Sequence, residues 1–555
     1  MDFDKLKIHD RKIIVGIDFG TTYSGVAWAE SRNPSRRTAI TQWPVSSTNK
    51  EGESSDKVPS KLRYNGDKIE WGFSIPITAP QEEVIEWFKL DLDPSLESMS
   101  QAVRADGARG GRNVDTLVAD YISQLSDHLL YTLREKLGDT IVNSTPLEFV
   151  VTVPAIWSDL AKDKTKRACE QASGISASKQ PVHLISEPEA AAIYALHGLD
   201  PHGLKVGDTI VVVDAGGGTV DLISYTITGL KPILEVQEAA PGSGALCGST
   251  FLNMRFAKPW KYLRRRSRQF TLNVSPDETY NIPVAGLANN KALGISRGRF
   301  ALKASELQTI FEPVVLEVIR LVKDQITASN VPIRAILLVG GFGASSYLKE
   351  RLRNAVDREI QIMQPPNAWQ AIVQGAVLKG LANAVPELAV VKVKNRKARK
   401  HYGTEWRARY DEKLHGHLKA KKQWCGLDGC FKVHAMEWFI NRGDQVSENE
   451  PYYTAFVWTG LVSQGRIRKI KMTIYNDQTL RDAPVSRDEN VKVLSHVEAD
   501  VSHIPENLLA RRQGSDGQWY YELSCKIEAV YLSASTTYTL LYNNQRYHTV
   551  TCEYV

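Results

Sequence analysis

The hydrophobic and polar positions follow the same pattern in two places along the chain. The first segment reads Val15-Gly16-Ile17-Asp18-Phe19-Gly20-Thr21-Thr22-Tyr23, and the second reads Val211-Val212-Val213-Asp214-Ala215-Gly216-Gly217-Gly218-Thr219. In each segment an apolar run ends in an aspartate, and the chain then passes through glycine into threonine. An apolar, β-branched run with glycine at its end predicts a strand followed by a tight hairpin. The repetition predicts two similar halves.

Strand and helix patterns alternate around both segments. The strand patterns lie at residues 13–19, 23–29, 39–43, 209–214 and 220–228, and the helical patterns at residues 81–90, 113–138, 158–173, 302–328 and 347–356, with Gly174 as the predicted end of the third helix. This alternation predicts α/β lobes in which helices cover a mixed sheet. We therefore assign residues 1–205 to a first lobe and residues 206–385 to a second, shortened lobe.

The pattern changes after residue 385. Short strand patterns follow one another at residues 453–459, 467–475, 491–497, 519–531 and 536–542, with Asn, Asp and Gly turns between them. They predict a β-rich C-terminal region over residues 401–555. The basic run Lys392–Lys400 lies within residues 386–400, which we interpret as a solvated interdomain linker, a nuclear localisation signal being the alternative.

Composition narrows the class of protein. The chain has 555 residues, more than a single hydrophobic core normally organises. Its net charge of +6 is small for this length, so nucleic-acid binding is not expected. The six cysteines are scattered, which favours a reducing compartment. Residues 1–12 are polar and no apolar run has bilayer-spanning length. We expect no membrane partner and a cytoplasmic protein, with the nucleus as an open alternative.

The residue types in the two repeated segments suit phosphate chemistry. Glycine lets the backbone approach a ligand closely, and consecutive N–H groups at such a turn attract anions. Threonine hydroxyls bind phosphate oxygens, and an aspartate at a strand end holds a hydrated divalent cation. Two such segments predict that the halves grip the phosphates of one nucleotide from opposite sides.

Four motifs in this order resemble those of the actin, hexokinase and 70-kDa heat-shock protein superfamily of ATPases, and they favour the heat-shock branch. Besides the two phosphate motifs, they are the adenosine motif Val339-Gly340-Gly341-Phe342-Gly343 and a pair of connecting segments that together count as one motif, Thr152-Val153-Pro154-Ala155 and Glu187-Pro188-Glu189-Ala190. The resemblance implies a two-lobed actin-like ATPase fold, related to ribonuclease H, followed here by the β-rich region. That region resembles the shorter C-terminal parts of fungal and vertebrate relatives that lack a standard peptide-binding domain.

The resemblance also implies ATP or ADP with Mg²⁺ as ligands and assigns roles to residues. Asp18 and Asp214 would hold Mg²⁺ through water. The residues implied in nucleotide binding are Asp18, Gly20, Thr21, Thr22, Tyr23, Gly216, Gly217, Gly218, Thr219, Gly340, Gly341 and Phe342. The residues implied in catalysis are Lys89, Glu187, Asp214 and Thr219. The alternatives are a solvated lysine on a surface helix for Lys89 and an acid at a helix N-terminus for Glu187.

The family's relay and adenine contacts have looser matches. Pro154, Pro188 and Arg167 resemble its proline switch and arginine relay. Within the basic run Lys261–Arg268, Arg265 or Arg266 would stack on the purine, and a loose basic surface is the alternative.

A metal hypothesis attaches to the C-terminal region. His415, His417, Cys425, Cys430 and His434 are ligand types for zinc. The spacing of the two cysteines equally fits a hairpin that turns through residues 426–429.

The sequence therefore predicts a slow, Mg-dependent ATPase of the heat-shock-70 type that switches conformation with nucleotide state. The resemblance implies protein clients or partners. The alternative is a non-catalytic, nucleotide-sensing scaffold that recruits a protein partner, and the connecting segments disfavour a sugar or acyl kinase.

Overall fold

The computed structural model describes the chain in several stretches. They are residues 11–94, 111–172, 180–198, 203–257, 275, 277–283, 289–290, 295–448, 450–479, 482–542, 545–547 and 550–555. The chain divides into two compact units, one that ends at Val393 and one that comprises Lys394–Val555. The predicted end of the third helix at Gly174 and the basic run Lys261–Arg268 lie outside the described residues.

The first half of the N-terminal unit is built on a central sheet. The strands of this half are β1 (Ile13–Asp18), β2 (Tyr23–Glu30), β3 (Asn33–Ala39), β4 (Val58–Pro59), β5 (Lys61–Asn65), β6 (Lys68–Trp71), β7 (Ile85–Glu86), β8 (Leu147–Val153) and β9 (Val182–Ser186). The helices of this half are α1 (Val114–Leu137), α2 (Asp139–Ser144), α3 (Asp159–Gln171) and α4 (Glu187–Gly198). The central sheet has the order β3-β2-β1-β8-β9, with β4 on β2. Every residue of β1 is buried, which explains why its sequence is apolar up to Asp18.

The second half has a sheet of the same kind. The strands of this half are β10 (Thr209–Ala215), β11 (Val220–Gly229), β12 (Leu234–Ala245), β13 (Thr279–Pro283), β14 (Ile295–Ser296), β15 (Arg299–Lys303), β16 (Ile333–Val339), β17 (Gln361–Met363) and β18 (Val391–Val393). The helices of this half are α5 (Ser249–Ala257), α6 (Ala304–Ser329), α7 (Ser346–Ala355) and α8 (Ala371–Ala384). The sheet order is β17-β16-β10-β11-β12-β18.

The two sheets share one topology. In the first, β2 pairs antiparallel with β1, β3 antiparallel with β2, and β8 and β9 continue the sheet in parallel. In the second, β10, β11, β12, β16 and β17 repeat those relations in the same order. The predicted repetition of two α/β halves is confirmed, and it places Asp18 and Asp214 at equivalent strand ends.

Helix α8 packs against both halves. Its Val373, Val377 and Leu381 join a core with Ile14 of β1, and its Ala371 and Ile372 join the core of β10 and α4. Glycines allow this approach, because a Cβ on Gly375 would overlap the carbonyl oxygen of Ala190 in α4. The helix thus contacts the cores of both halves.

The C-terminal unit is built almost wholly from strands. They are β19 (Arg396–Lys397), β20 (His401–Arg409), β21 (Gln423–Cys425), β22 (Cys430–Ile440), β23 (Gln445–Val446), β24 (Tyr452–Leu461), β25 (Lys469–Asp477), β26 (Lys492–Asp500), β27 (Arg511–Gln513), β28 (Trp519–Tyr531), β29 (Thr536–Tyr542), β30 (Gln545–Tyr547) and β31 (Val550–Tyr554), with one short helix, α9 (Glu412–His415). Two antiparallel sheets, β21-β22-β20-β25-β26-β31 and β24-β28-β29-β30, share an apolar core. The predicted β-rich region is confirmed.

Some local predictions were wrong. Residues 81–90 do not form a helix, because Trp87 adopts a left-handed backbone (φ 61°) between short 3₁₀ turns at Gln81–Glu83 and Phe88–Leu92. The strand predicted at residues 39–43 lies earlier, as β3. The basic run was expected to be solvated, but β18 pairs with β12, β19 pairs with β23, and Arg396 is buried.

Among the described helices, none combines the length and apolar character needed to cross a bilayer. The long helix α6 is amphipathic instead, and its apolar face packs on the sheet of the second half.

We predict that Gly375→Ala lowers the free energy of unfolding by roughly 1–3 kcal/mol, because a backbone carbonyl cannot move aside as a side chain can. Urea denaturation followed by circular dichroism measures the change. Gly198→Ala, at the end of α4, is the matched control, since an added Cβ there meets no described atom within 4 Å. Unaltered stability of Gly375→Ala would contradict the close packing of α8.

Candidate functional site

The two predicted phosphate hairpins face each other across a cleft. Asp18 ends β1 and Asp214 lies near the end of β10, and each strand turns back into its antiparallel neighbour. The glycines of the second turn lie directly on the threonines of the first. A Cβ on Gly218 would lie 2.5 Å from Thr21 Oγ1, and one on Gly217 would overlap Thr22. Only residues without side chains allow the two turns to approach this closely.

The cleft brings together every residue that the sequence assigned to the site. It has a volume of about 410 Å³. The predicted residues that line it are Asp18, Gly20, Thr21, Thr22, Tyr23, Lys89, Glu187, Asp214, Gly216, Gly217, Gly218, Thr219, Gly340, Gly341 and Phe342. The volume and the mixture of glycine, hydroxyl and charged groups suit a polar ligand of nucleotide size.

The adenosine motif reaches this cleft through a strained turn. Gly340 follows β16 with φ of 83°, a conformation that favours glycine. A Cβ at Gly340 would lie 2.5 Å from Asp214 Oδ1, so the turn packs directly against that carboxylate. The N–H of Phe342 donates a 2.8 Å hydrogen bond to the carbonyl of Ala215. The turn is thus fastened to the second phosphate hairpin.

Lys89 is buried in the cleft wall. It is 2% exposed, and its Nζ donates a 2.7 Å hydrogen bond to Glu187 Oε1. Its ammonium also lies over the rings of Phe19 and Trp157, at 5.5 and 5.0 Å from their centroids. The alternative of a solvated surface lysine was therefore wrong, and the same pair explains why Glu187 points into the interior.

Lys57, to which the sequence interpretation assigned no role, enters the same cleft. It is 7% exposed, and its Nζ lies 2.6 Å from Asp18 Oδ2. The hydroxyl of Thr152 donates a 3.2 Å hydrogen bond to the other oxygen of Asp18. Lys57 precedes the two-residue strand β4, and this short strand has no recognisable sequence motif. The position of Lys57 therefore becomes clear only from the pairing of β4 with β2.

Burial governs the protonation of the carboxyl groups. Burial raises the pKa of Glu187 to about 7, and the contact with Lys89 opposes this shift only in part. The neighbouring carboxylates Asp221 and Asp18 raise the pKa further. Burial likewise holds the pKa of Asp214 well above its usual range, and Glu187 adds to that effect. Each group favours its neutral form because it stands among like charges in an interior of low polarity.

Asp214 is the carboxylate best placed to receive a cation. Its Oδ1 is buried and has no hydrogen-bond partner within the described part of the chain. An orphaned, buried carboxylate oxygen beside glycine turns suits a hydrated divalent cation, since Mg²⁺ prefers oxygen ligands and keeps part of its water shell. The residues present therefore fit the implied Mg²⁺ at Asp214, whereas Asp18 is already paired with Lys57.

The comparisons with known proteins agree with this geometry. A family model described as Hsp70 protein matches residues 101–253. Heat shock 70 kDa protein 12A of Homo sapiens is 24% identical over 524 residues, which cover 74% of this chain and 75% of that protein. Heat shock 70 kDa protein 12B of Homo sapiens is 23% identical over 485 residues, 67% of this chain and 69% of that protein. These matches support a divergent relationship of the chain to the 70-kDa heat-shock protein family.

More distant family members have chaperone names. Chaperone protein DnaK of Mycoplasma mycoides subsp. mycoides is 28% identical over 397 residues, 66% of this chain and 59% of that protein. The family match, the mixed sheets of the two halves and the strands of the C-terminal unit together confirm an actin-like ATPase fold with a β-rich C-terminal part. The relatives support an Hsp70-like nucleotide-binding protein.

The sequence interpretation assigned no role to several residues in or beside this cleft, and Lys57, Trp369 and Asp221 are three of them. Trp369, in the turn before α8, places its ring centroid 5.8 Å from that of Tyr23 in an edge-to-face contact. Asp221 is fully buried at the start of β11 and accepts a 3.2 Å hydrogen bond from the N–H of Ile156. Its position at the end of the second phosphate motif was the one available signal.

The remaining sequence hypotheses have mixed outcomes. Pro154 and Pro188 are buried, whereas Arg167 is half exposed on α3 and pairs with Asp163. In the C-terminal unit, Cys425 and Cys430 pair across the predicted hairpin. The described residues contain no group of three His, Cys, Asp or Glu side chains that would hold a metal. The structure thus supports the hairpin and gives no zinc site from His415, His417, Cys425, Cys430 and His434.

We predict that the nucleotide-free protein loses stability as pH rises from about 4.5 to about 7, the interval between the ordinary and the folded pKa of Glu187. In this interval the folded protein retains a proton that the unfolded chain has released, so rising pH favours unfolding. Glu187→Gln removes this contribution and flattens the decline in Tm, and exposed Glu82→Gln is the control. Identical pH profiles for wild type and Glu187→Gln would disprove the assignment.

Proposed function

We propose that this protein binds Mg·ATP and ADP in the cleft and hydrolyses ATP slowly. The observation that carries the proposal is the convergence of two equivalent hairpins, the adenosine turn and the Lys89–Glu187 pair on one cleft. In this proposal the change from ATP to ADP alters the relation of the two halves, and protein partners or clients respond to it. The chaperone names of DnaK and HscA relatives support that last step.

The hairpins hold the phosphates. The hydroxyls of Thr21, Thr22 and Thr219 line the cleft from opposite sides, together with the backbone of Gly217 and Gly218. These groups donate hydrogen bonds without bringing bulk, so phosphate oxygens approach the main chain directly. Asp214 would hold the hydrated cation, and a bound Mg²⁺ would supply positive charge that offsets the charge of the phosphates.

Lys89 and Glu187 act on the reacting group. The ammonium of Lys89 is fixed by Glu187 and by two aromatic rings, so it offsets charge on the transferred phosphoryl group without reorganising. Glu187 has a pKa near neutrality and therefore accepts a proton from the attacking water at physiological pH. The six free cysteines support the proposal of a reducing compartment, the cytoplasm or the nucleus.

A second function remains a candidate because of one contact. Lys57 occupies one oxygen of Asp18, which is a cation-holding residue in the assignment from the sequence. A cleft with one cation position filled by a side chain suits a nucleotide-sensing scaffold that binds without turnover and recruits a protein partner. Turnover separates this alternative from the ATPase.

We predict that Gly217→Ala weakens Mg·ATP binding on the order of tenfold or more, because the added methyl overlaps Thr22 and moves the two hairpins apart. Asp214→Asn should weaken binding only when Mg²⁺ is present, since it removes the charge that holds the cation. Isothermal titration with ATP and ADP measures both effects. Gly416→Ala, where a Cβ meets no described atom within 4 Å, is the control. Wild-type affinity in Gly217→Ala would refute the phosphate assignment.

We predict that Lys89→Ala lowers the turnover number by roughly 10²–10³ while ATP affinity changes by only a few-fold, because the lysine acts on charge that develops in the transition state. Phosphate release under saturating ATP measures turnover, and exposed Lys68→Ala is the matched control. A thermal melt establishes that the variant is folded. Wild-type turnover no faster than that of buffer would replace the ATPase with the scaffold.

A further inference from the structure

Lys57 is built into the phosphate side of the cleft by several contacts. Strand β4 follows it directly and pairs with β2, with Ser24 opposite Val58. The hydroxyl of Ser60 donates a 2.6 Å hydrogen bond to the carbonyl of Gly20 and lies 2.9 Å from the hydroxyl of Ser24. These bonds fasten β4 to the first phosphate hairpin and so fix the backbone next to Lys57 beside that hairpin.

The side chain of Lys57 is enclosed along its length. Its methylene groups lie along Gly25, where a Cβ would come within 3.4 Å of Lys57 Cγ. Its ammonium lies 5.9 Å from the ring centroid of Trp369 and 2.6 Å from Asp18 Oδ2. The lysine is thus held in one position, with its charge beside the turn that is proposed to bind phosphate.

The balance of buried charge explains why a cation is needed there. Four carboxyl groups, Asp18, Glu187, Asp214 and Asp221, are buried around the cleft. Lys89 pairs with Glu187 and Lys57 pairs with Asp18, which leaves Asp214 Oδ1 and Asp221 Oδ2 without a hydrogen-bond partner among the described groups. A polyphosphate adds further negative charge to this enclosed space, where Coulomb repulsion is weakly screened. One positive charge therefore comes from the chain itself on the Asp18 side.

We propose that Lys57 is a phosphate-binding residue that takes over part of the role of the divalent cation, so that nucleotide binding depends only weakly on Mg²⁺. The inference rests on the proposed function. A lysine binds phosphate as a point charge, and its ammonium reaches phosphate oxygens that approach the first hairpin. The hydrated cation at Asp214 then serves chiefly the second hairpin.

Isothermal titration of the full chain with ATP, in Mg²⁺ and in EDTA at equal ionic strength, tests this proposal. Wild type should lose less than about tenfold in affinity when Mg²⁺ is removed. Lys57→Met should lose on the order of tenfold more than wild type in EDTA and recover most of that loss in Mg²⁺. Lys68→Met, which removes an exposed lysine of the same half, should behave like wild type.

The outcomes separate this inference from the function on which it rests. Equal EDTA sensitivity in wild type and Lys57→Met, or complete loss of wild-type binding in EDTA, overturns the role of Lys57 and leaves the nucleotide site intact. Absence of wild-type binding in both buffers overturns both. If Lys57→Met leaves Asp18 unpaired and fails to fold, Asp18→Asn with Lys57→Met removes both charges of the pair. EDTA sensitivity equal to that of wild type in the double variant also overturns the inference.

Discussion

Buried charge is the constraint on which the cleft depends. The carboxyl groups of Asp18, Glu187 and Asp214 stand together in the interior, where an unpaired ion is costly. The structure meets this cost in two ways: lysines pair with Asp18 and Glu187, and burial raises the pKa of Asp214 so that its neutral form is favoured. Both solutions leave a cleft that gains stability when a cation and a polyanion enter together.

The same charges require the two hairpins to be close, and glycine makes that possible. Thr21 and Thr22 of the first turn lie against Gly218 and Gly217 of the second, and Gly340 lies against Asp214. Side chains at these three glycines would separate the turns and admit water between the charged groups. Interactions between the charges weaken in such a setting because water screens them. Close packing of the backbone therefore keeps the interactions between the charged groups of this cleft strong, and those interactions in turn depend on the close packing.

The sequence predicted those parts of the site whose geometry depends on a few consecutive residues. An apolar run that ends in Asp18 or Asp214 and turns through glycine carries its geometry within a few residues, so its hairpin was predictable. Lys57 and Trp369 reach the cleft through tertiary pairing, of β4 with β2 and of the turn before α8 with Tyr23, and no spacing in the chain signals either. The helix predicted at residues 81–90 failed for a related reason. These residues do have the apolar spacing of a helix. Trp87, however, takes a left-handed backbone conformation that ends any helix there, and the turn that follows it places Lys89 in the interior.

The distribution of charge between the two sheets gives the proposed switch a physical basis. Asp18 with its partner Lys57 belongs to the side of the first sheet, whereas Asp214 and Asp221 extend from the second. A triphosphate with its cation would be attracted to the lysines on one side and, through the cation, to Asp214 on the other. In the proposed switch, loss of the terminal phosphate would remove charge from the middle of that bridge and would weaken the attraction between the halves. Because α8 packs against both sheets, a change in that attraction acts on one shared helix rather than on a flexible connection. A ligand shifts such an equilibrium only as far as it distinguishes the two arrangements, and in the proposed switch it would distinguish them by charge.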